Sequence, residues 1–438
     1  MSAIVAKFGG SSLADAGQFR KVHDIIRADD KRRYIVVSAP GKRTSDDEKI
    51  TDMLYACHKA AVEGGDYAAI FEKVAQRYRG IVADLGLSLD LADELNTILE
   101  NLPRRNADYA ASRGEYLSGL IAADYLGFPF LDPAKAVFFT ADGAFDADRT
   151  QDVLGRMLGE SETAVVPGFY GSLPDGAIKT FSRGGSDITG AIVARAAHAE
   201  LYENWSDVSG FLMADPRVVE NPEVIATITY HELRELAYMG ASVFHEEAIF
   251  PVRREGIPIH IKNTNDPAAR GTLIAMATDE SAQRGAITGI AGRKGFCVIA
   301  IEKAMMNSEM GFGRRVLTVL ESFGISFEHL PTGIDTMSVV VSEQNLGTRL
   351  PEVLAAIRET CQPDSIHVEY NLALIATVGR GMVRYPGTAA RLFGALARAN
   401  VNIRMIDQGS SEINIIVGVE SDDFNKAVCA IYRAFVND

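Results

Sequence analysis

A chain of 438 residues, 47% hydrophobic and 23% charged, is composed like a globular protein of two or three domains, which excludes wholesale disorder. Its formal net charge of −14 argues against nucleic acid or an acidic membrane surface as partner, so any anion site must supply its own local cations. Cys57, Cys297, Cys361 and Cys429 stand far apart with no C-x-x-C spacing, which argues against a zinc site or a disulfide framework and suits a reducing, cytoplasmic setting.

The first apolar run, Ala3 to Ala6, reads as a strand and leads into "KFGGSSL". Lys7 and the two glycines interrupt it too early for a signal peptide, and no later run reaches the ~18 apolar residues of a membrane span. Ser12 and Asp15 have the spacing of a capping box. Phe19, Val22, Ile25 and Ile26 then share one helical face, and Tyr34–Ser38 is a second short strand. This βαβ order favours a parallel sheet covered by helices. Residues 45–118 are charged, poor in proline and helically periodic, and read as a helical insertion. "TAVVPGF" and "AELYENWSDVSGF" return to strand-then-loop patterns. "ATDESAQRG" reads as a linker. Beyond it, "GRRVLTVLESFGISFEHLPTGIDTMSVVVSE" and "GTAARLFGALARANVNIRMIDQGSSEINIIVGVE" form an internal repeat, offset by about 75 residues, the size of two small α+β modules.

Two segments carry anion chemistry. In "KFGGSS", Gly9 and Gly10 let backbone N–H groups approach an anion, the next helix adds its positive end, and Lys7 adds a point charge. Taken alone, the stretch is equally a tight turn. "TFSRGGSDITG" joins Arg183, Gly184, Gly185, Ser186 and Asp187 to an alanine-rich helix. Two such loops, each with one cation, favour a phosphate site at the C-terminal ends of parallel strands. Neither matches G-x-x-x-x-G-K-[ST] or G-x-G-x-x-G. In "NWSDVSGFLMADPR", Trp205 reads as core, and Asp207, Asp215 and Arg217 read as solvated turn residues.

The chain resembles the aspartate kinases of the amino-acid kinase superfamily along its whole length. The resemblance is carried by "KFGGSS", "VVSAPGKRT", "SRGEYLSG", "PGFYG", "FSRGGSDITG", "WSDVSGFLMADPR", "MGASVFHEEA" and "IKNTNDPAARGT", with "MIDQGSSEINI" similar to a second ACT domain. It implies an αβα kinase fold with a mainly parallel sheet over 1–277, then ferredoxin-like ACT modules over 286–368 and 369–438, with the strands of 286–302 open to either. It also implies transfer of the γ-phosphoryl group of ATP, with Mg2+, to the β-carboxylate of L-aspartate. A carboxylate nucleophile is ionised at neutral pH and needs no general base, so cations and N–H donors are the expected catalysts.

By the same resemblance, Lys7 neutralises the transferring group, aided by the amides of Gly9 and Gly10, and Asp187 orients Lys7 or the metal–phosphate assembly. Arg183 pairs with the substrate α-carboxylate beside Gly184, Gly185 and Ser186, and Glu115 faces its α-ammonium. Ser38, Ala39, Thr44 and Phe169 match positions near the amino acid. Ser206, Asp207, Asp215, Arg217 and Lys262 match the nucleotide side. No protein metal site is implied. Two departures stand out: Leu212 replaces the usual tyrosine near adenine, and "SAPGKRT" adds Lys42 and Arg43 at the substrate end.

The ACT modules imply feedback control and a homo-oligomer, dimer or tetramer. Gly311, Phe312 and Gly313 resemble an effector-holding loop, and Glu328 and Asp335 are candidate partners for an effector ammonium. Lysine is the first expected effector and threonine the second; "PTGIDTMS" departs from the usual turn and leaves the choice open. The rival readings are a kinase of another acidic substrate and a decayed amino-acid sensor; intact Lys7, Arg183 and Asp187 argue against decay. With no further segment after the second module, a monofunctional kinase is expected.

Overall fold

The computed structural model describes residues 3–182, 184–241, 250–277 and 286–436. Arg183, the last seven residues of "MGASVFHEEA" and nearly all of "ATDESAQRG" lie outside them. Contacts divide the chain into two units. The first comprises Met1–Phe211, Val224–Tyr230 and Ser242–Thr278, and the second Leu212–Glu223, His231–Ala241 and Asp279–Asp438.

The first unit is built on β1 (Ile4–Phe8), β2 (Arg32–Val37), β3 (Ala164–Pro167), β4 (Tyr170–Ser172), β5 (Ile178–Thr180), β6 (Leu201–Ser206), β7 (Thr227–Thr229), β8 (Ile259–Asn263) and β9 (Thr272–Ala275). Seven of these form one sheet in the order β3-β2-β1-β6-β8-β9-β7, parallel except for β8 against β9; β4 and β5 make a separate hairpin. Its helices are α1 (Ala16–Arg27), α2 (Ile50–Glu63), α3 (Tyr67–Leu85), α4 (Ala92–Asn101), α5 (Ala107–Leu126), α6 (Ala147–Gly159) and α7 (Gly185–Ala196).

Alternation along the strands sorts the helices into layers. Ala6, Phe8, Ile35, Val37 and Val165 share a core with Phe19, Ile26, Leu54, Tyr78, Ile98 and Leu117, so α1 to α5 cover that face. Lys7 and Val36 point to the other face, where α7 packs on β1, β2 and β6. The structure corrects two local expectations. β1 extends through Phe8, so Lys7 is a strand residue and not part of the loop. Asp15 caps α1 by itself, accepting from the Gln18 amide at 2.9 Å, while Ser12 sits in a preceding 3-10 turn and bonds Thr264.

α8 (Tyr230–Tyr238) begins at the last residue of one first-unit segment and continues into the second unit, and α9 (Phe250–Glu255) returns to the first. The second unit holds β10 (Gly289–Glu302), β11 (Thr336–Ser342), β12 (Ser365–Val378), β13 (Ile403–Asp407) and β14 (Asn414–Glu420) in one antiparallel sheet, ordered β11-β10-β12-β14-β13. Its helices are α10 (Phe312–Ser322), α11 (Glu343–Leu346), α12 (Leu350–Cys361), α13 (Thr388–Arg398) and α14 (Phe424–Val436).

β10 and β12 pair from Gly289 against Val378 to Glu302 against Ser365. The later half of β10 also takes β11, and the later half of β12 takes β14. Two cores result. One gathers Ile299, Phe312, Val316, Val339 and Ile357, and the other Ile290, Ile375, Leu392, Val417 and Ile431. Each core corresponds to one copy of the internal repeat, and both long strands serve the two copies at once.

Candidate active site

Lys7 is buried on the face of β1 that meets α7, and its Nζ lies 2.5 Å from Asp187 Oδ1 in the first turn of that helix. Asn204, paired with Lys7 in the β1–β6 register, donates its side-chain amide to the same oxygen at 2.7 Å. The Tyr202 hydroxyl donates to the Asp187 carbonyl at 3.0 Å. Removing one partner of a buried ion pair costs about 3–5 kcal/mol, because the other charge is left uncompensated.

The two glycine loops meet at this pair. The Gly9 amide donates to the Trp205 carbonyl at 2.9 Å. It therefore continues the sheet ladder, and the expectation that it cradles phosphate is corrected. Gly10 opens the 3-10 turn, where N–H groups have no intrahelical partner. Across the site, Gly184 caps α7, and Gly185 and Ser186 begin its first turn, so the positive end of a 12-residue helix faces Lys7 and Asp187. Trp205 itself is core, stacked with Phe8 and donating to Glu203 at 2.9 Å.

Glu115 on α5 is 5% exposed, and its Oε2 has no hydrogen-bond partner among the described residues. Burial pushes its carboxyl up to about 8, against the opposing pull of the Ala39 amide and the charges of Arg113 and Lys7. At neutral pH the group is mostly protonated, and a cation seated beside it would restore its charge. Ser38 is held beside the end of β1 by its amide, which donates to the Phe8 carbonyl at 3.2 Å. Phe169 adopts φ +80 with its amide bonded to Thr189 Oγ1, and its ring leaves no room for a side chain at Gly185. A bulky residue in that region stores about 1–3 kcal/mol of strain, a frequent mark of a functional position.

The remaining candidates are less convergent. Thr44 lies in an exposed turn whose carbonyl accepts the Asp47 amide. Ser206 ends β6, and Asp207 follows it exposed. Lys262 is half-buried, lies 5.5 Å from the centre of the Trp205 ring and donates to the Ala269 carbonyl at 2.7 Å; burial lowers its pKa. Asp215 and Arg217 belong to the second unit and pair with each other at 2.7 Å, Arg217 largely exposed. Arg43 grips Asp47 through Nε and Nη2, and Lys42 donates to the Ser45 carbonyl. Among the described residues, no three His, Cys, Asp or Glu side chains are grouped to hold a metal, and no helix is long and apolar enough to cross a membrane.

The amino acid kinase family profile matches residues 2–263, and an ACT domain profile matches residues 375–435. Aspartokinase 3 of Bacillus subtilis (strain 168) is 40% identical over 447 aligned positions, covering 98% of both chains. The chain belongs to the aspartokinase family. The crystal structure of the Clostridium acetobutylicum aspartate kinase, described as an allosteric enzyme, superposes with a TM-score of 0.90 at 52% identity, covering all of both chains. Two crystal structures of Escherichia coli aspartokinase III are 26% identical. One, with aspartate and ADP (R-state), gives a TM-score of 0.74 over all of both chains; the other, with lysine and aspartate (T-state), gives 0.72 over 99% of both. An aspartokinase, and not a kinase of another acid or a decayed sensor, is what these likenesses support.

In this aspartokinase the effector candidates are spread over separate local contacts. Gly311 caps α10 at φ +79, Phe312 is buried and Gly313 follows in the first turn. Glu328 is buried and accepts from the Tyr238 hydroxyl at 2.5 Å, with Arg293 at 3.6 Å. Asp335 accepts the Met305 amide at 2.8 Å. Both carboxylates therefore already have partners.

Sequence reading missed Asn204, although two polar residues inside the strand-like run "LYENW", Glu203 and Asn204, were a signal.

Proposed function

We propose that the pair Lys7–Asp187 is the phosphoryl-transfer centre, and that Glu115 and Arg183 read the two α-substituents of L-aspartate. The enzyme transfers the γ-phosphoryl group of ATP to the β-carboxylate. The O–P bond to the acyl oxygen forms as the bond to the ADP oxygen breaks, and no proton need move. The nucleotide brings Mg2+ as part of the substrate. Lys7 leaves its short contact with Asp187 for the phosphoryl oxygens, and Asn204 keeps Asp187 oriented as it does so. The Gly10, Gly185 and Ser186 amides add fixed donors. Ser38, Ala39 and Phe169 wall the amino acid, and Gly184 lets α7 start beneath it. Ser206, Asp207 and Lys262 serve the nucleotide, while Thr44 closes over the substrate only if its turn moves.

The observation that carries this reading is the buried Lys7–Asp187 contact between two glycine-started turns. The enzyme works in the cytoplasm as a homo-oligomer joined through its ACT modules. Lysine is the proposed feedback effector, supported by its presence in the T-state structure of the 26%-identical relative; threonine is the second choice. Gly311, Phe312 and Gly313 would hold the effector carboxylate, with Glu328 and Asp335 near its ammonium. Hydroxylamine trapping tests the chemistry. Protein, ATP, Mg2+ and aspartate should give aspartyl hydroxamate, and Lys7→Ala should reduce it by about a thousandfold. Product with another acid but none with aspartate would overturn the substrate.

A further inference from the structure

Arg77 lies on α3, within the helical insertion, and its side chain is 6% exposed. A buried guanidinium needs partners for a fixed fork of donors. Arg77 finds them on three separate pieces of backbone and side chain. Its Nε and Nη2 donate to the Ala14 carbonyl at 3.2 and 2.8 Å, Nη2 also donates to the Gly41 carbonyl at 2.8 Å, and Nη1 reaches Asp47 Oδ2 at 2.7 Å. Ala14 immediately follows the 3-10 turn that Gly10 opens, and Gly41 lies in the loop after β2.

These two loops cross back to back. The Gly41 amide donates to the Gly10 carbonyl at 2.7 Å. A methyl group at Gly10 would lie 2.9 Å from the Ala39 carbonyl, and one at Gly41 would lie 2.7 Å from the Gly10 carbonyl carbon. No side chain fits in the crossing, so it has to be held from outside. Arg77 does this. Asp47 forms a second ring of bonds, accepting from the Arg43 amide at 3.0 Å and from its guanidinium; Arg43 first, then Arg77, hold its carboxyl below the usual carboxylate range. The network therefore stays charged at neutral pH.

We propose that Arg77 is a positioning residue for phosphoryl transfer: it clamps the glycine loop after β1 to the loop after β2 and so sets the distance between the phosphate-facing and aspartate-facing halves of the site. This rests on the reading that Gly10 faces phosphate and that Ser38 and Ala39 face aspartate. The clamp lies two residues from Ala39, whose backbone opposes the burial-driven rise of the Glu115 carboxyl. Releasing it shifts both substrate walls together. A misplacement on the order of 1 Å can cost about a hundredfold in rate.

The test compares Arg77→Met, Arg77→Lys and Gly41→Ala in the full-length enzyme by steady-state hydroxamate formation and thermal melting. Arg77→Met should raise KM for both aspartate and ATP and lower kcat/KM by about a hundredfold. Arg77→Lys, a point charge without the fork, should recover only part of the loss. Gly41→Ala, which pries the same crossing apart with Arg77 intact, should reproduce the rise in both KM values. A purely structural role would lower the melting temperature and the active fraction while leaving both KM values at wild type; that result in Arg77→Met overturns the proposal. Unchanged KM values in Gly41→Ala would overturn it equally. If wild-type enzyme makes no aspartyl hydroxamate, the failure lies with the functional reading and not with the clamp.

Discussion

The catalytic and effector candidates differ in how their charges are held. In the first unit, β1, α5, α7 and β6 each deliver one polar side chain, and Lys7, Glu115, Asp187 and Asn204 are all buried or nearly so. Their positions follow from strand register and helix packing, which leave few alternatives. In the second unit, Glu328 and Asp335 sit on irregular segments, and each satisfies a local donor, the Tyr238 hydroxyl and the Met305 amide. A carboxylate on a loop finds whichever donor is near. Glu328 is as buried as the first set, so burial does not separate the two; convergence of Lys7, Asp187 and Asn204 from separate regular elements is what carries the stronger functional argument.

The largest expected effect would break this contrast at its centre. Asp187→Ala should strand Lys7 without its partner and, like Lys7→Ala, reduce hydroxamate formation by about a thousandfold, the upper range for loss of one preorganised electrostatic group. A variant within tenfold of wild type would mean that the pair is structural.

Glu115 comes next. Its folded pKa, about 8, lies above its ordinary value of 4.5. A raised carboxyl contributes stability that is present below 4.5 and lost as pH climbs through 8. Glu115→Gln should therefore flatten the fall in melting temperature of unliganded enzyme between pH 5 and pH 8. If the ionised form receives the aspartate ammonium, affinity for aspartate should weaken by up to about tenfold for each pH unit below 8. Titration calorimetry in two buffers would detect the proton released on binding. No release at pH 7 would remove Glu115 from the substrate site.

The smallest expected effects concern regulation. Gly311→Val places a β-branched residue at φ +79 and should raise the half-inhibitory lysine concentration by about tenfold. Asp335→Asn and Glu328→Gln should shift it by no more than about threefold, because each group already has a local partner. Titrations of activity with lysine and with threonine check both statements, and indifference to both amino acids would end the feedback proposal.

The parts of the site legible in the sequence were those written in neighbouring residues. A strand that stops at paired glycines, and a second glycine pair opening a helix, pointed to the proposed anion site. The insertion and the internal repeat were readable from periodicity. What escaped depended on distant contacts. Asn204 matters because the β1–β6 register sets it beside Lys7. Arg77 matters because a helix of the insertion docks on loops more than thirty positions away in sequence. The Gly9 amide escaped because a sheet neighbour competes with any ligand for it. The cap of α1 was missed narrowly: Asp15 is an N-cap residue in its own right, and Ser12 finds Thr264 instead.

The sharing of β10 and β12 bears on how this regulatory half can change through evolution. A cut between residues 368 and 369, where the repeat invites one, falls inside β12 and leaves each fragment with only part of the strand and an open edge. Deleting or swapping one copy of the repeat alone removes strand pairing that the other copy uses. Recombination that treats them as two cassettes should yield insoluble protein, because unpaired edges invite association with other chains. Drift in the two hydrophobic layers is likewise linked, since Ile290 and Ile299 line different cores from the same strand. What began in sequence as a duplication is bound in space to a single hereditary unit.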